Sequence, residues 1–230
     1  MTGAFVYRFA TPHDPKADIL YVNVVPRYSC TNSCRFCSRK DAIKGMPNIY
    51  EKKAGRRLRL PKAPMAEGVV RELETRINPA TDEIAFVGLG EPFLQFELVK
   101  NIIGAVRANG FRGNIRIDTN GLAKCWYGGN PAQELKTAGL DEIRISVNAV
   151  NGRDYAAISR SGYTQAFGKL CEFVTDCIRA GIKTCASFIV CFDDGEVKTR
   201  AKEEYLDFAL SLGIEPGNVI LRNYLPPLNR

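Results

Sequence analysis

The 230 residues carry a net charge of +7, with 45% hydrophobic and 25% charged side chains, the composition of a soluble globular protein with a core of its own. No apolar run approaches the roughly 20 residues needed to cross a bilayer, and the N-terminal stretch lacks the long apolar run of a secretory signal. The expected location is therefore cytoplasmic, with no membrane partner. A single histidine, His13, argues against a His-rich zinc or iron site, a His-based triad and a 2-His-1-carboxylate iron centre.

Strand-like apolar runs alternate with amphipathic helical stretches. After an N-terminal segment, residues 1–18, the first strand is expected over 19–25. A cysteine-bearing loop follows, then an insertion over 38–64 rich in Lys, Arg, Gly and Pro. Helix 65–77, strand 83–89, helix 95–109, strand 113–119 and helix 131–138 come next. Strand 142–148, helix 162–180, strand 183–190, helix 196–212 and strand 218–224 complete the alternation. Gly110, Gly139, Gly181 and Gly213 each stand just past a helix, where a residue tolerant of positive φ fits. Strands and crossovers in this order make a (βα)5β parallel sheet, curled into a barrel or partial barrel in one domain spanning 1–230. Long insertions of this kind often serve as lids. Its Lys52, Lys53, Arg56, Arg57, Arg59 and Lys62 either meet an anionic partner or form a basic solvated face.

Directly after the first strand comes Cys30-Thr-Asn-Ser-Cys34-Arg-Phe-Cys37, at the strand end where parallel α/β folds place active sites. Thiolates are the normal ligands of iron–sulfur clusters. Three of them in one short loop can hold three corners of a cube, leaving the fourth iron open to a small molecule's amine and carboxylate. A zinc knot normally needs four ligands, usually as two CxxC pairs. Cys125, Cys171, Cys177, Cys185 and Cys191 supply no second pair. A disulfide would use two of the three thiols and leave an odd one. Without an export signal, reduced thiols are expected. Cys125 and Cys191 sit on the active-site side, either as reactive groups or as plain buried thiols.

The strand faces add a second pattern. Ile143, Ile145 and Val147 alternate with Arg144, Ser146 and Asn148, and Ile115, Ile117 and Thr119 alternate with Arg116, Asp118 and Asn120. Asn23 and Ser187 occupy matching positions on the first and fifth strands. One face should pack on helices; the polar face then lines a lumen or, in an open sheet, meets solvent. Buried Arg and Asp are costly unless paired, so a polar lumen implies a ligand, water or Arg–Asp pairing.

CxxxCxxC after the first strand resembles the radical SAM superfamily, and further motifs follow in the right order along nearly the whole chain. The resemblance implies a partial (βα)6 TIM-like barrel. It further implies a [4Fe-4S] cluster on Cys30, Cys34 and Cys37 with S-adenosylmethionine (SAM) on its open iron. Phe36 would pack near the adenine. Gly88-Leu89-Gly90-Glu91-Pro92 is similar to the family's GGEP motif, whose backbone meets the methionine amino group, with Leu89 departing from the usual glycine pair. Ser146 and Asn148 match the family's ribose-holding positions, and Ser187 and Arg222 are further SAM-contact candidates. Arg116, Asp118, Asn120 and Arg144 remain as substrate-side candidates. Asp118-Thr119-Asn120-Gly121 is similar to a DTNG turn of small members and is equally readable as a tight turn.

Within the superfamily, the compact TatD-associated proteins and queuine lyase are similar through three stretches. These are Leu60-Pro61-Lys62-Ala63-Pro64 after the insertion, Ile145-Ser146-Val147-Asn148-Ala149, and a last strand of the Leu-Arg-x-Tyr type. That likeness implies cleavage of SAM to a 5′-deoxyadenosyl radical and fragmentation of a small heterocycle, with queuine as the lead substrate. Gly90-Glu91-Pro92-Phe93-Leu94-Gln95 is similar to 7-carboxy-7-deazaguanine synthase and, together with the 118–121 turn, to glycyl-radical activases. The implied partners are a small-molecule substrate, an electron donor such as flavodoxin or ferredoxin, and a second copy in a homodimer. A protein or nucleic-acid substrate is the alternative that the basic insertion carries.

Overall fold

Apolar runs that alternate with helices pair here edge to edge in chain order. The computed structural model describes residues 5–8, 18–46 and 48–225, with Ile49 described by its backbone alone. Strands β1 (Val6–Tyr7), β2 (Asp18–Val22), β3 (Thr81–Phe86), β4 (Asn114–Thr119), β5 (Glu142–Ser146), β6 (Lys183–Val190) and β7 (Val219–Asn223) form one sheet in the order β1-β2-β3-β4-β5-β6-β7. β2 to β7 run parallel, and the short β1 joins β2 antiparallel. The sheet does not close on itself. The expected partial α/β barrel in a single domain is therefore present, with β1 as an edge strand added to the expected set. His13 and most of the N-terminal segment lie outside the described residues.

The crossovers are α3 (Ala66–Arg76), α4 (Phe96–Ala108), α5 (Pro131–Ala138), α6 (Gly152–Ser159), α7 (Ala166–Arg179) and α8 (Lys202–Ser211). Their apolar stripes, among them Val99, Ile102, Leu135 and Phe173, bury against Ile115, Ile117, Ile143 and Ile145 from the outer sheet face, which is the face the alternation assigns to helices. Gly110, Gly139, Gly181 and Gly213 have φ of +93°, +104°, +71° and +85°, as helix ends require. Two boundaries differ from expectation. The stretch read as a helix over 162–180 begins at Ala166, and α6 precedes it as a separate helix, capped by Asn151 Oδ1 accepting from Asp154 N–H at 2.9 Å. The first strand ends at Val22 because Asn23 turns its side chain to the backbone: its amide donates to Leu58 O at 2.6 Å, and its Oδ1 accepts from Val25 N–H at 3.0 Å.

That contact also fixes the insertion. Its two short helices, α1 (Arg39–Ile43) and α2 (Ile49–Ala54), and the following Leu58 lie against the inner faces of β1, β2 and β3. Leu58 and Ala42 are buried with Tyr7, Tyr21, Tyr28, Ala85 and Leu89 in a small apolar cluster of their own. Leu60 pairs with Pro26 as an isolated bridge. The insertion is a packed wall on one side of the lumen, with Lys52, Lys53, Arg56, Arg57 and Arg59 exposed outside. No helix of the described residues is long and apolar enough to cross a membrane.

Candidate active site

The cysteine loop is held at the C-terminal end of the sheet from several sides. Arg27 and Tyr28 enter it with φ of +53° and +58°, and Arg27 N–H donates to Leu60 O at 2.8 Å. Arg39 staples the loop internally: one terminal nitrogen donates to Tyr28 O at 3.0 Å and the other to Asn32 O at 2.8 Å. On the far side Arg35 N–H donates to Ile158 O at 2.9 Å, and Asn32 bridges Ser161. The end of α6, which the sequence pattern did not reveal, is thus the bed of the loop. Phe36 packs beside Ile158, Ile189 and Phe192, edge-on to Phe192 at 6.2 Å between centroids.

All eight cysteines are free thiols. Burial pushes the Cys30 thiol up to about 11, with the Glu91 charge adding to it, and pushes Cys34 up to about 12, with Cys37 and Cys30 adding to it. Such thiols must lose protons to bind metal. The donor set fits an iron–sulfur cluster: three thiols share one stapled loop. Two buried polar atoms beside them, Asn32 Oδ1 and Arg39 Nε, have no hydrogen-bond partner, a state that native structures rarely leave unexplained.

The Gly88–Pro92 turn after β3 lies directly against this loop, with Glu91 N–H donating to Ser29 O at 2.9 Å. At Gly90 a Cβ would sit 2.5 Å from both Ser29 O and Val25 Cγ1, so only glycine permits the approach. The Glu91 side chain is 1% exposed. One carboxylate oxygen accepts from Phe93 N–H (2.9 Å) and the Thr119 hydroxyl (2.6 Å), and the other from Asn120 N–H (2.7 Å). Burial pushes its carboxyl up to about 7 against the pull of those three donors. Glu91 therefore ties the end of β3 to the end of β4. Pro92 opens the short 3-10 turn that follows.

On the inner sheet face the expected polar side chains pair with one another. Arg116 is 2% exposed; its Nε donates to Glu83 at 2.8 Å, and a terminal nitrogen pairs with Asp118. Burial works to lower the Arg116 pKa, but Asp118 and Glu83 outweigh it and the net shift is upward. Glu142 accepts from Arg144 Nε at 2.6 Å and Lys183 Nζ at 2.8 Å. Burial works to raise the Glu142 pKa, but Lys183 and Arg144 bring it down. Of the four substrate-side candidates, Arg116 and Asn120 both have partners within the protein. Arg116 is enclosed between Glu83 and Asp118. The Asn120 amide donates to Thr31 Oγ1 at 2.7 Å and lies 3.8 Å from Cys30 Sγ. Asp118 and Arg144 stay open, with side chains 37% and 33% exposed, and they face each other as register partners on β4 and β5.

Above them, Ser146 and Ser187 are register partners on β5 and β6. Asn148, at φ +58°, accepts from Ile189 N–H at 3.1 Å, which locks the ends of those strands together. Arg222 on β7 keeps a buried Nε without a partner. Cys191 is exposed at φ +60°, and Cys125 is half-buried in a turn after β4. Thr31, Asn32 and Arg39 were missed by the sequence reading. Their position inside and just after the cysteine loop was the available signal. Two surface cavities of about 510 and 520 Å³, one lined by Arg8, Arg56 and Arg76 and the other by Leu73, Phe111 and Gly113, lie at the opposite end of the sheet.

The sequence model of the radical SAM superfamily matches residues 24–200. The chain belongs to the radical SAM superfamily. Its members are enzymes that use a [4Fe-4S] cluster and SAM and need a reductant. Over 135 residues the chain is 30% identical to the GTP 3′,8-cyclase of Alkaliphilus oremlandii (strain OhILAs), a match covering 57% of this chain and 39% of that one. The chain thus spans well under half of that relative. Among solved structures, the fold matches anSMEcpe with bound AdoMet and a Kp18Cys peptide at TM-score 0.64 and 14% identity, over 92% of this chain and 53% of that one. It matches TYW1 bearing a lysine-pyruvate adduct at TM-score 0.58 and 14% identity, over 94% and 68%. The FeFe-hydrogenase maturase HydG from Carboxydothermus hydrogenoformans matches at 0.59 and 18%, over 94% and 47%. At these identities the likeness is one of fold.

Proposed function

We propose that this radical SAM protein fragments a small nitrogen heterocycle, with queuine as the lead substrate, held between Asp118 and Arg144. The observation that carries the reading is the pair itself. An acceptor and a donor face each other across two strands, each about one-third open and each oriented by an ion pair, Asp118 with Arg116 and Arg144 with Glu142. Asp118 is acceptor-only when ionised and Arg144 donor-only, which suits a guanine-like edge presenting both N–H groups and a carbonyl. Cys30, Cys34 and Cys37 would hold the cluster. Gly88, Gly90 and Pro92, with Phe36, Ser146, Asn148, Ser187 and Arg222, would line the SAM site, in which Glu91 braces the turn. When bound, and given one electron by a flavodoxin- or ferredoxin-type donor, the cluster and SAM would supply hydrogen-abstracting chemistry at the 5′ carbon through cleavage of the sulfonium C–S bond, with methionine as the other fragment. The chain's own contribution is to place the substrate's hydrogen in contact range and to exclude water, for which the packed insertion closes the β1–β3 side.

The test is anaerobic turnover of reconstituted protein with SAM and dithionite. Queuine is expected to stimulate 5′-deoxyadenosine formation and to be consumed with it. No stimulation by queuine or other 7-deazapurines would overturn the reading. The similarity to GTP 3′,8-cyclase favours a second reading, ring formation on a purine nucleotide, and GTP in the same assay separates the two.

A further inference from the structure

The end of β4 carries two polar residues with separate destinations. Asp118 remains in the ion-pair row of the inner face, whereas Asn120, just beyond the strand, reaches the cysteine loop. Which atom of the Asn120 amide faces that loop is decided by its neighbours. Asn120 Oδ1 accepts from Leu122 N–H at 3.1 Å, so the NH2 group is the one turned to Thr31 Oγ1, 2.7 Å away, and to Cys30 Sγ, 3.8 Å away. The backbone is fixed as well, because Asn120 N–H donates to Glu91 Oε2 at 2.7 Å. The residue is buried. Cys30 Sγ has a second donor in Asn32 N–H at 3.4 Å. One cluster cysteine is thus met by two N–H groups from different parts of the fold, one of them carried on the β4 turn.

We propose that Asn120 is a positioning residue that raises the reduction potential of the cluster through an N–H···S bond to Cys30, with Glu91 holding it in place. Reduction adds negative charge to the cluster and its thiolates. A donor aimed at a ligand sulfur stabilises the reduced form more than the oxidised one. Because the bond acts through a buried amide anchored at three atoms, it is available without reorganisation when the electron arrives. The inference rests on the superfamily's cluster and not on the identity of the substrate.

The experiment is a redox titration followed by electron paramagnetic resonance on the full chain with its cluster reconstituted, without SAM or substrate. Asn120→Ala and Asn120→Leu, the second keeping the branched shape but no donor, are expected to move the midpoint to more negative potential at wild-type iron content. Thr31→Val removes the other partner of the same amide and leaves the sulfur contact, so it should keep the wild-type midpoint. Unchanged midpoints in both Asn120 variants would overturn the proposal. So would a Thr31→Val shift equal to theirs, since tethering of the loop would then suffice. Failure of both Asn120 variants to assemble a cluster that Thr31→Val assembles normally would assign Asn120 a structural role and equally overturn it.

Discussion

Removing the Glu51 carboxylate is expected to unlatch the 38–64 insertion from the sheet while leaving the barrel folded. Glu51 is buried, and its Oε1 accepts from the Tyr28 hydroxyl and from Leu58 N–H at 2.9 Å. Arg57, 3.7 Å away and 61% exposed, adds little. Hydrogen bonds to a charged acceptor contribute about 1.5–3 kcal/mol each, so Glu51→Ala weakens the latch by about 3–6 kcal/mol. Water reaching the freed donors in the opened form argues for the lower end. Three kcal/mol is roughly a 100-fold change in the opening equilibrium, at about tenfold for each 1.4 kcal/mol. Native-state hydrogen exchange reads it at Arg27 N–H, whose acceptor is Leu60 O and which the substitution does not touch. Amide exchange from β5 serves as the control for global unfolding. Arg27 protection within about threefold of wild type would refute the latch, as would an equal loss in β5, which would show that the insertion and barrel open together.

Gly90→Ala places a Cβ 2.5 Å from Ser29 O, an overpacking cost of about 1–3 kcal/mol. Calorimetry should show SAM binding weakened by roughly tenfold or more, and wild-type affinity would mean the turn moves freely. Arg116→Met leaves Glu83, 12% exposed, without its buried partner. The loss is about 3 kcal/mol, the low end for a broken buried pair because Asp118 is already part-solvated. That corresponds to a fall of about 6–12 °C in thermal midpoint, checked by scanning calorimetry. Gly121→Ala meets Ile145 Cγ2 at 2.7 Å from a φ of +75° and should lower the midpoint by several degrees, with strain of about 1–3 kcal/mol. Asp118→Asn keeps shape but exchanges an acceptor for a donor. It is expected to depress queuine-dependent 5′-deoxyadenosine formation at least tenfold while leaving SAM affinity unchanged.

The alternation of Ile115, Arg116, Ile117 and Asp118 was enough to say which face of β4 meets helices, because side-chain direction follows the pleat alone. It was not enough to say what each polar group touches. Arg116 finds Glu83 from a strand 33 positions earlier, and Asn23 finds a carbonyl 35 positions later; such partners depend on register and on an insertion whose docking is non-local. The cysteine loop was legible because its ligands lie within one short segment. Its bed was not, since α6 begins Asn151-Gly152, a pair that reads equally as a turn. The Asn cap with Asp154 at its third position was the signal for a helix there.

The pairing inside the barrel also alters what the basic composition implies. Arg116, Arg144 and Lys183 are matched by Glu83, Asp118 and Glu142, so the row that includes Asp118 and Arg144 carries no net charge and the +7 surplus of the chain lies elsewhere, in part on the outer side of the insertion. A site balanced in this way gains little by attracting a highly charged substrate. It discriminates instead through unpaired hydrogen-bonding groups, where one missing partner is costly. For the same reason a neutral or weakly charged heterocycle suits the lumen better than a triphosphate does, unless the half-buried Arg222 takes the phosphates. That makes Arg222→Gln a discriminating variant: it should matter more for turnover of a nucleotide than of a free base.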